Sequence, residues 1–379
     1  MKRPILCYII FFFSLTGFLF NTPCFAQPKD TATIKTLINK IPESIKFSGY
    51  VDAYYAYYTD SVGTNNYQKF PVISPKSNVF GLNIVQITAQ YATEKTRALA
   101  TLHYGDIPSS AWSSVFNMIQ EANAGVRLTK KIWLDAGFFK THIGTEALLP
   151  KDNIASTLSI ITFYEPWWQA GIKLTYSPSD KLLICLHILN GYNTFVDNNK
   201  SKSYGVAISY ALGEKGNINY YNLVGEESPE GTKTKHLRFL NNLVFNYQLT
   251  KKLKTTIGVD YITQQHSGIS DTNSTASIFS AILTFKYQAK PKFGIYARGE
   301  TFSDKEGMLS PRFIDNTSNV TGYILNDATL GVEYKPADNA YIRLEGRDII
   351  MDSRQQIFRT NGTNTNNRLE TMVCVGVWF

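Results

Sequence analysis

The chain contains about sixteen segments in which apolar and polar residues alternate, and this period of two is the feature that most restricts its fold. In one segment Leu237, Phe239 and Leu243 fall on one face, whereas Arg238 and Asn242 fall on the other. Alternation of this kind is typical of β-strands that bury or shield one face. Beyond the N-terminal residues no stretch is long and apolar enough for a transmembrane helix. The sequence therefore predicts an all-β fold.

The connections between these segments alternate between short turns and longer polar loops. A soluble β-sandwich would also alternate along its strands, but short turns on one side and long loops on the other are typical of a membrane-spanning barrel. We therefore predict a transmembrane, antiparallel, up-and-down β-barrel of about sixteen strands, with fourteen or eighteen if one hairpin is misread. The predicted strands lie near 45–58, 79–92, 96–105, 118–129, 132–141, 165–177, 181–190, 202–212, 216–226, 236–249, 252–265, 275–288, 291–303, 321–335, 340–350 and 367–379.

The N-terminus has the pattern of a secretory signal. Two basic residues precede an apolar run over 5–20, and a small-residue site ends at Ala26. A retained anchor helix is the alternative, but the run is shorter than the ~20 residues that span a bilayer. We predict a signal peptide over 1–26, a short periplasmic segment over 27–44 and one barrel over 45–379, without a second domain.

Composition excludes several classes of function. The 38 basic and 30 acidic residues give a net charge of +8, but the basic residues are spread over the strands instead of clustered on one face, which argues against nucleic-acid binding. Cys185 and Cys374 lie in distant predicted strands and are not expected to pair. No metal-ligand spacing and no glycine-rich phosphate loop is present, so we expect neither a cofactor nor a metal.

Charged residues occupy the face opposite to the apolar one. A charge on the lipid face would cost a few kcal/mol at the bilayer midplane, so these residues are predicted to line a water-filled lumen. The alternative is that they form internal salt bridges and leave no pore, although barrels of ~16–18 strands usually enclose a channel. The predicted pore-lining residues are Arg97, Glu121, Arg127, Asp135, Lys173, Arg238, Lys254, Asp260, Arg298, Glu300, Glu333, Arg343, Glu345, Arg347, Arg368 and Glu370.

The longest connection, 142–164, follows the fifth predicted strand and contains His142, Glu146, Lys151 and Asp152. Its place is similar to that of the third external loop of general porins, which folds into the pore and narrows it. By this resemblance the four residues would bring mixed charge to a constriction. A loop that stays at the surface is the equally open alternative.

The last strand ends with apolar residues at every second position, namely Val373, Val375, Val377 and Phe379. This ending resembles the signal that the barrel-assembly machinery reads on bacterial outer-membrane proteins. The resemblance implies that this machinery and outer-membrane lipid are partners of the chain.

Three stretches resemble the putative β-barrel porin-2 family of Bacteroidetes-type bacteria. They are 135–146, which includes His142-Ile143-Gly144-Thr145-Glu146, then 164–171, and Leu189-Asn190-Gly191-Tyr192. The family often has a tyrosine pair and a tryptophan where this chain has Trp167-Trp168 and Tyr192. The resemblance spans about 45–379, implies an outer-membrane barrel with passive transport, and leaves a homotrimer open.

The sequence thus favours a porin that lets small hydrophilic solutes or ions diffuse passively through a charged lumen. The basic excess among the predicted pore-lining residues favours weak anion preference. One alternative is a plugged structural or adhesive barrel that acts through the polar loops 59–78, 304–320 and 351–366. A less favoured one is a hydrolase, which would need His142 to meet a serine such as Ser156 or Ser159.

Overall fold

The structure, a computed structural model, describes residues 42–60, 63–68 and 70–379. The chain divides into two units, Met1–Glu43 and Ser44–Phe379, and only the last two residues of the first unit are described. The predicted signal peptide and nearly all of the predicted periplasmic segment therefore lie outside the described residues.

The second unit is a single antiparallel sheet that closes on itself as a barrel of sixteen strands. Each strand pairs with the next along the chain, and the last strand pairs with the first. The predicted sixteen-strand, up-and-down topology is confirmed. The barrel strands are β1 (Ile45–Tyr58), β2 (Phe80–Ala92), β3 (Thr96–Tyr104), β4 (Ile119–Thr129), β5 (Ile132–Lys140), β6 (Trp168–Ser179), β7 (Leu182–Leu189), β8 (Ser203–Ala211), β9 (Gly216–Glu226), β10 (Leu237–Gln248), β11 (Leu253–Gln264), β12 (Ala276–Lys290), β13 (Phe293–Ser303), β16 (Ile324–Tyr334), β17 (Ala340–Met351) and β20 (Asn367–Trp378).

Small elements in the long loops were not predicted. Two short hairpins, β14 (Phe313–Ile314) with β15 (Val320–Thr321) and β18 (Phe358–Thr360) with β19 (Thr363–Thr365), lie outside the barrel sheet. The helical pieces are α1 (Asp106–Ala111), α2 (Ile160–Tyr164) and the 3₁₀ turns Pro150–Asp152 and Gly213–Lys215. Among the described residues, no helix has the length and apolar character needed to cross a membrane.

The alternation of the sequence corresponds to the two faces of the barrel wall. In β20 the outward Val373, Val375 and Val377 are each more than 40% exposed, whereas the inward Met372 and Cys374 are at most 3% exposed. Large apolar side chains face outward on the other strands as well, which is the surface that a lipid environment requires.

The closing strand is held at its very end. The backbone N–H of Gly49 donates to the carbonyl of Phe379 at 3.0 Å, and the N–H of Phe379 donates to the carbonyl of Gly49 at 3.1 Å. The last residue of the predicted assembly signal therefore belongs to the β1–β20 seam, where it satisfies backbone groups that would otherwise form a free sheet edge. Whether the assembly machinery reads this ending stays a prediction.

Two paired glycines adjoin the connection between β5 and β6. Gly137 and Gly171 lie opposite each other in the sheet, with φ of 132° and 157°. A Cβ on Gly137 would lie 2.3 Å from the carbonyl oxygen of Ala122, which belongs to the neighbouring strand and cannot easily move. The local backbone path therefore requires glycine at this position.

Replacing Gly137 by alanine is expected to destabilise the barrel by about 1–3 kcal/mol, because both the φ angle and the close carbonyl oppose a side chain. The matched control is Gly299→Ala, since a Cβ there meets nothing closer than 4.0 Å. Urea titration of the folded barrel in lipid vesicles should show a lower midpoint of unfolding for Gly137→Ala but not for Gly299→Ala. Equal midpoints for both variants would contradict the argument.

Candidate functional site

The connection between β5 and β6, residues 141–167, lies against the inner wall of the barrel, and we call it the inner loop. The N–H groups of Ser156 and Thr157 donate to the carboxylate of Glu345 on β17 at 2.7 and 3.0 Å. The N–H of Ile160 donates to the carboxylate of Glu300 on β13 at 3.1 and 3.2 Å. Both acceptors belong to strands across the barrel from β5 and β6. The loop therefore crosses the interior.

Two arginines of the same wall bind the inner loop from the other direction. Arg298 donates to the carboxylate of Glu146 at 2.9 Å and to the carbonyl of Thr157 at 2.6 Å. Arg343 donates to the carbonyl of Pro150 at 2.8 Å. Each arginine of the wall thus donates to an oxygen of the inner loop. Charge-assisted hydrogen bonds of this kind are stronger than neutral ones, so they hold the loop firmly against the wall.

Behind these contacts the wall charges neutralise one another. Arg347 pairs with Glu300 at 2.8 Å and also with Asp327, and Arg343 pairs with Glu333 at 2.8 Å. Such buried pairs are tolerated only when each charge keeps a partner. The arrangement on β13, β16 and β17 is a compensated ion-pair network beneath the inner loop.

Arg368 on β20 lies nearer the long external loops and is joined to the wall network through Glu370, which is close to both Arg368 and Arg347. Its guanidinium donates to Asp60 at 3.3 Å and to Gln68 at 3.0 Å, and it lies within 5.1 Å of the ring centres of Phe70 and Phe358. The residue is fully buried by these loops.

These contacts correct the predicted set of pore-lining residues. Ten of the sixteen face inward but are buried, with at most 6% of each exposed, because the inner loop, the external loops or neighbouring charges cover them. Alternation indicates the face of a strand on which a residue lies, but not what covers that face. The buried residues are Asp135, Asp260, Arg298, Glu300, Glu333, Arg343, Glu345, Arg347, Arg368 and Glu370.

The other six predicted residues are less covered, and five of them are basic: Arg97, Glu121, Arg127, Lys173, Arg238 and Lys254. They do not form one cluster. Arg97 pairs with Asp135 at 2.5 Å, Arg127 donates to the carbonyl of Lys130 in a short turn, and Arg238 lies 4.5 Å from the ring centre of Tyr192.

The four residues predicted for a constriction have different surroundings. Glu146 is paired with Arg298. Lys151 and Asp152 pair with each other at 2.9 Å and keep 24% and 42% of their side chains exposed. His142 contacts Gln169 at 3.1 Å and the carbonyl of Asn222 at 3.0 Å.

His142 does not meet the serines that a hydrolase would need. Ser156 and Ser159 are fully buried, and the hydroxyl of Ser159 bonds to that of Thr162 at 2.8 Å. Burial lowers the pKa of His142, so its ring is neutral at pH 7. The ring stacks on that of His187 with 4.0 Å between centres. The residue thus holds the base of the inner loop to β7 and β9.

In the described part of the chain, two of the cavities inside the barrel border the inner loop. One has a volume of ≈ 530 Å³ and is bordered by His142, Asp152, Lys254 and several asparagines of β9 and β10. The other has ≈ 250 Å³ and is bordered by Glu121, Lys151 and residues of β1 to β4. Lys140 and Asp152 border both cavities, so the two are neighbours.

Several cavity residues were missed by the sequence reading. Asn217, Asn219 and Asn246 are polar at every second position of their strands, so counting uncharged polar residues would have found them. Lys140 is the last residue of β5, where alternation gives no direction. It lies 3.4 Å from Glu121. Among the described residues, no group of three or more His, Cys, Asp or Glu side chains could hold a metal ion.

Solved structures with a similar fold are outer-membrane proteins, and they include a porin and a channel. The anion-selective porin from Comamonas acidovorans has a TM-score of 0.61 at 10% identity, covering 89% of this chain and 99% of its own. The outer membrane channel DcaP of Acinetobacter baumannii has a TM-score of 0.60 at 11% sequence identity, and the match covers 88% of this chain and 97% of DcaP. A trimer form of OmpT, an outer membrane protein of Vibrio cholerae, has a TM-score of 0.54 at 11% sequence identity, and the match covers 88% of this chain and 99% of OmpT. At such low identity these likenesses show the fold alone.

No curated protein shows a significant match to the sequence. A family model, described as putative beta-barrel porin-2, OmpL-like, matches residues 44–379. That match covers the entire barrel, and a closed barrel of sixteen strands is the size typical of porins. The chain belongs to the putative beta-barrel porin-2, OmpL-like, family of outer-membrane porins.

Proposed function

We propose that this porin lets small hydrophilic solutes and ions diffuse passively across the outer membrane, along the part of the lumen that the inner loop leaves free. The single observation that carries the proposal is the pair of neighbouring polar cavities that meet at Lys140 and Asp152. The proposal includes no covalent step, and a sixteen-stranded wall is wide enough to hold both a folded loop and water.

The same region favours anions over cations. The cavities are bordered by Lys140, Lys151 and Lys254 and by Glu121, Glu146, Asp152 and Glu165. Glu121 is close to Lys140, Asp152 to Lys151 and Glu146 to Arg298, and burial raises the pKa of Glu165. Among the described residues this leaves Lys254 as the lining lysine without an acidic partner. The large acidic and basic network beneath the inner loop is neutralised internally and contributes little field to the free space. The remaining excess of positive charge should attract anions in a narrow passage.

The experiment is a planar bilayer measurement with the purified barrel under a salt gradient. We expect stable channel steps and a reversal potential of the anion-selective sign. The double variant Lys140→Glu/Lys254→Glu should move that potential toward cation selectivity, because each substitution reverses one charge beside the cavities. Lys215→Glu, in a short turn outside the lumen, is the matched control and should leave it unchanged.

A folded barrel that gives no channel steps would contradict diffusion through the lumen. It would favour a plugged barrel that acts through its external loops, which include the two small hairpins. An anion preference that survives the double variant would contradict only the assignment of Lys140 and Lys254. The hydrolase alternative receives no support from the surroundings of His142.

A further inference from the structure

The outward face of the barrel has an apolar groove where β12, β13, β16 and β17 run side by side. Its volume is ≈ 650 Å³. Ala297 and Gly346 form its floor, because a small side chain there leaves a depression between bulky neighbours. Its walls include Phe285, Leu330 and Leu344. Phe285, Ala297, Leu330 and Gly346 are successive partners across the four strands, so the depression is built into the register of the sheet.

The groove lies in the half of the wall nearest the short turns. Leu253 opens β11, and Tyr287 and Val332 each lie a few residues before the end of their strands. Short turns of outer-membrane barrels face the periplasm. The groove therefore opens toward the acyl chains of the periplasmic leaflet.

The short turns above the groove carry a concentration of lysine. Three successive turns, after β10, β12 and β16, contain Lys251, Lys252, Lys292 and Lys335 against one acidic residue, Asp338, and Lys290 ends β12 beside the second of them. The turns after β2, β6 and β8 each pair one lysine with one acidic residue, and only the turn after β4 has two lysines and no acidic residue. The positive charge is thus concentrated directly over the groove.

These lysines are available to a ligand. Lys251, Lys252, Lys290 and Lys292 are exposed, and within the described ranges none of the five forms a salt bridge with an acidic side chain. Lys292 donates to the carbonyl of Pro336 at 2.9 Å, which holds two of the turns together. Lys335 lies three positions after the groove residue Val332, or about 10 Å along an extended strand.

We propose that this groove and its lysines form a binding site for one anionic phospholipid. An acyl chain fills the depression over Ala297 and Gly346, and the phosphate lies among the lysines at the turns. A neutral phospholipid would match the groove but not its charge, and free phosphate would match the charge but not the groove. The site faces lipid and not the lumen, so it is independent of the proposed transport.

The test is native mass spectrometry of the detergent-purified barrel after incubation with dioleoylphosphatidylglycerol or dioleoylphosphatidylcholine. We expect one phosphatidylglycerol to be retained in preference to phosphatidylcholine. Lys252→Gln/Lys290→Gln/Lys335→Gln should weaken its retention about a hundredfold, at about fivefold for each lysine near a charged lipid surface. Ala297→Phe should fill the groove and weaken retention with all the lysines present.

Matched controls lie on other strands of the same barrel. Lys130→Gln/Lys131→Gln removes the only other turn with two lysines and no acidic residue, and Ala124→Phe enlarges an outward alanine on β4. Both should retain phosphatidylglycerol as the unmodified chain does. Equal retention of the two lipids, or equal losses in the test and control variants, would overturn the proposal. The heat-modifiable gel mobility of each variant shows that it is folded, and because this readout needs no open channel it keeps the result separate from the transport proposal.

Discussion

Replacing Glu345 by alanine is expected to release the inner loop from the barrel wall and to raise the single-channel conductance. The carboxylate accepts hydrogen bonds from the N–H groups of Ser156 and Thr157 and from the hydroxyl of Tyr296 at 2.8 Å. It is also buried. Removing it leaves several buried donors without an acceptor, a change that costs about 3–5 kcal/mol when a buried charge is involved.

The size of the effect follows from that cost. Every 1.4 kcal/mol changes an equilibrium about tenfold, so the ratio of released to seated loop should rise by about a hundredfold or more. A released loop frees the space beside β13 and β17 that it now fills. Planar bilayer recordings should then show larger steps and more frequent transitions than the unmodified porin.

Two variants separate loop release from general damage. Glu345→Gln keeps one oxygen acceptor and should give a smaller change. Asp135→Ala removes a buried carboxylate that pairs with Arg97 and has no bond to the inner loop, so its conductance should stay near that of the unmodified chain. Unchanged conductance in a folded Glu345→Ala barrel would show that Glu345 does not hold the loop.

The strands could be predicted because their signal is local. In β20, Val373 and Val375 face outward and Met372 and Cys374 face inward, and a two-residue pattern is enough to assign both faces. The strand number followed from the same pattern together with the connection lengths. The two small hairpins in the external loops were missed because strands of two or three residues carry no usable alternation.

The seating of the inner loop could not be predicted, because it depends on partners that are distant in sequence. Ser156 and Glu345 are 189 residues apart, and Ile160 and Glu300 are 140 apart. Loop length suggested where a constriction could form, but no property of 142–164 alone specifies which wall it contacts. For the same reason the sequence could not distinguish covered charges such as Arg347 from accessible ones such as Lys254.

A second anchor of the inner loop depends on protonation. Glu165, near the end of the loop, is almost fully buried, and the charge of Asp260 on β11 acts on it at close range. Two neighbouring buried carboxyl groups avoid mutual repulsion only if one of them carries a proton. Burial first, and then the nearby charges of Asp260 and Glu146, raise the pKa of Glu165 well above its ordinary value of 4.5. Tyr192 is a further titratable group close to Glu165.

The direction of the pH effect follows from that shift. Below pH 4.5 Glu165 is protonated whether the loop is seated or released, so it imposes no penalty. As pH rises above 4.5, Glu165 ionises freely when the loop is released. When the loop is seated, Glu165 must either keep its proton or ionise while buried, which costs free energy. Seating therefore weakens with increasing pH, up to the pKa of the seated group, by at most about tenfold for each pH unit.

Single-channel recordings between pH 5 and 8 should accordingly show loop-opening transitions that become more frequent as pH rises. Glu165→Gln keeps the size of the side chain and a hydrogen-bond donor toward Asp260 but cannot ionise. In this variant the openings should be rare, and their frequency should change little with pH, because the amide group can donate to Asp260 at every pH. A pH dependence as steep as that of the unmodified porin would assign the effect to another group. Frequent openings at every pH in Glu165→Gln would show that a neutral side chain at this position does not seat the loop. That result would contradict the role of protonated Glu165 as an anchor.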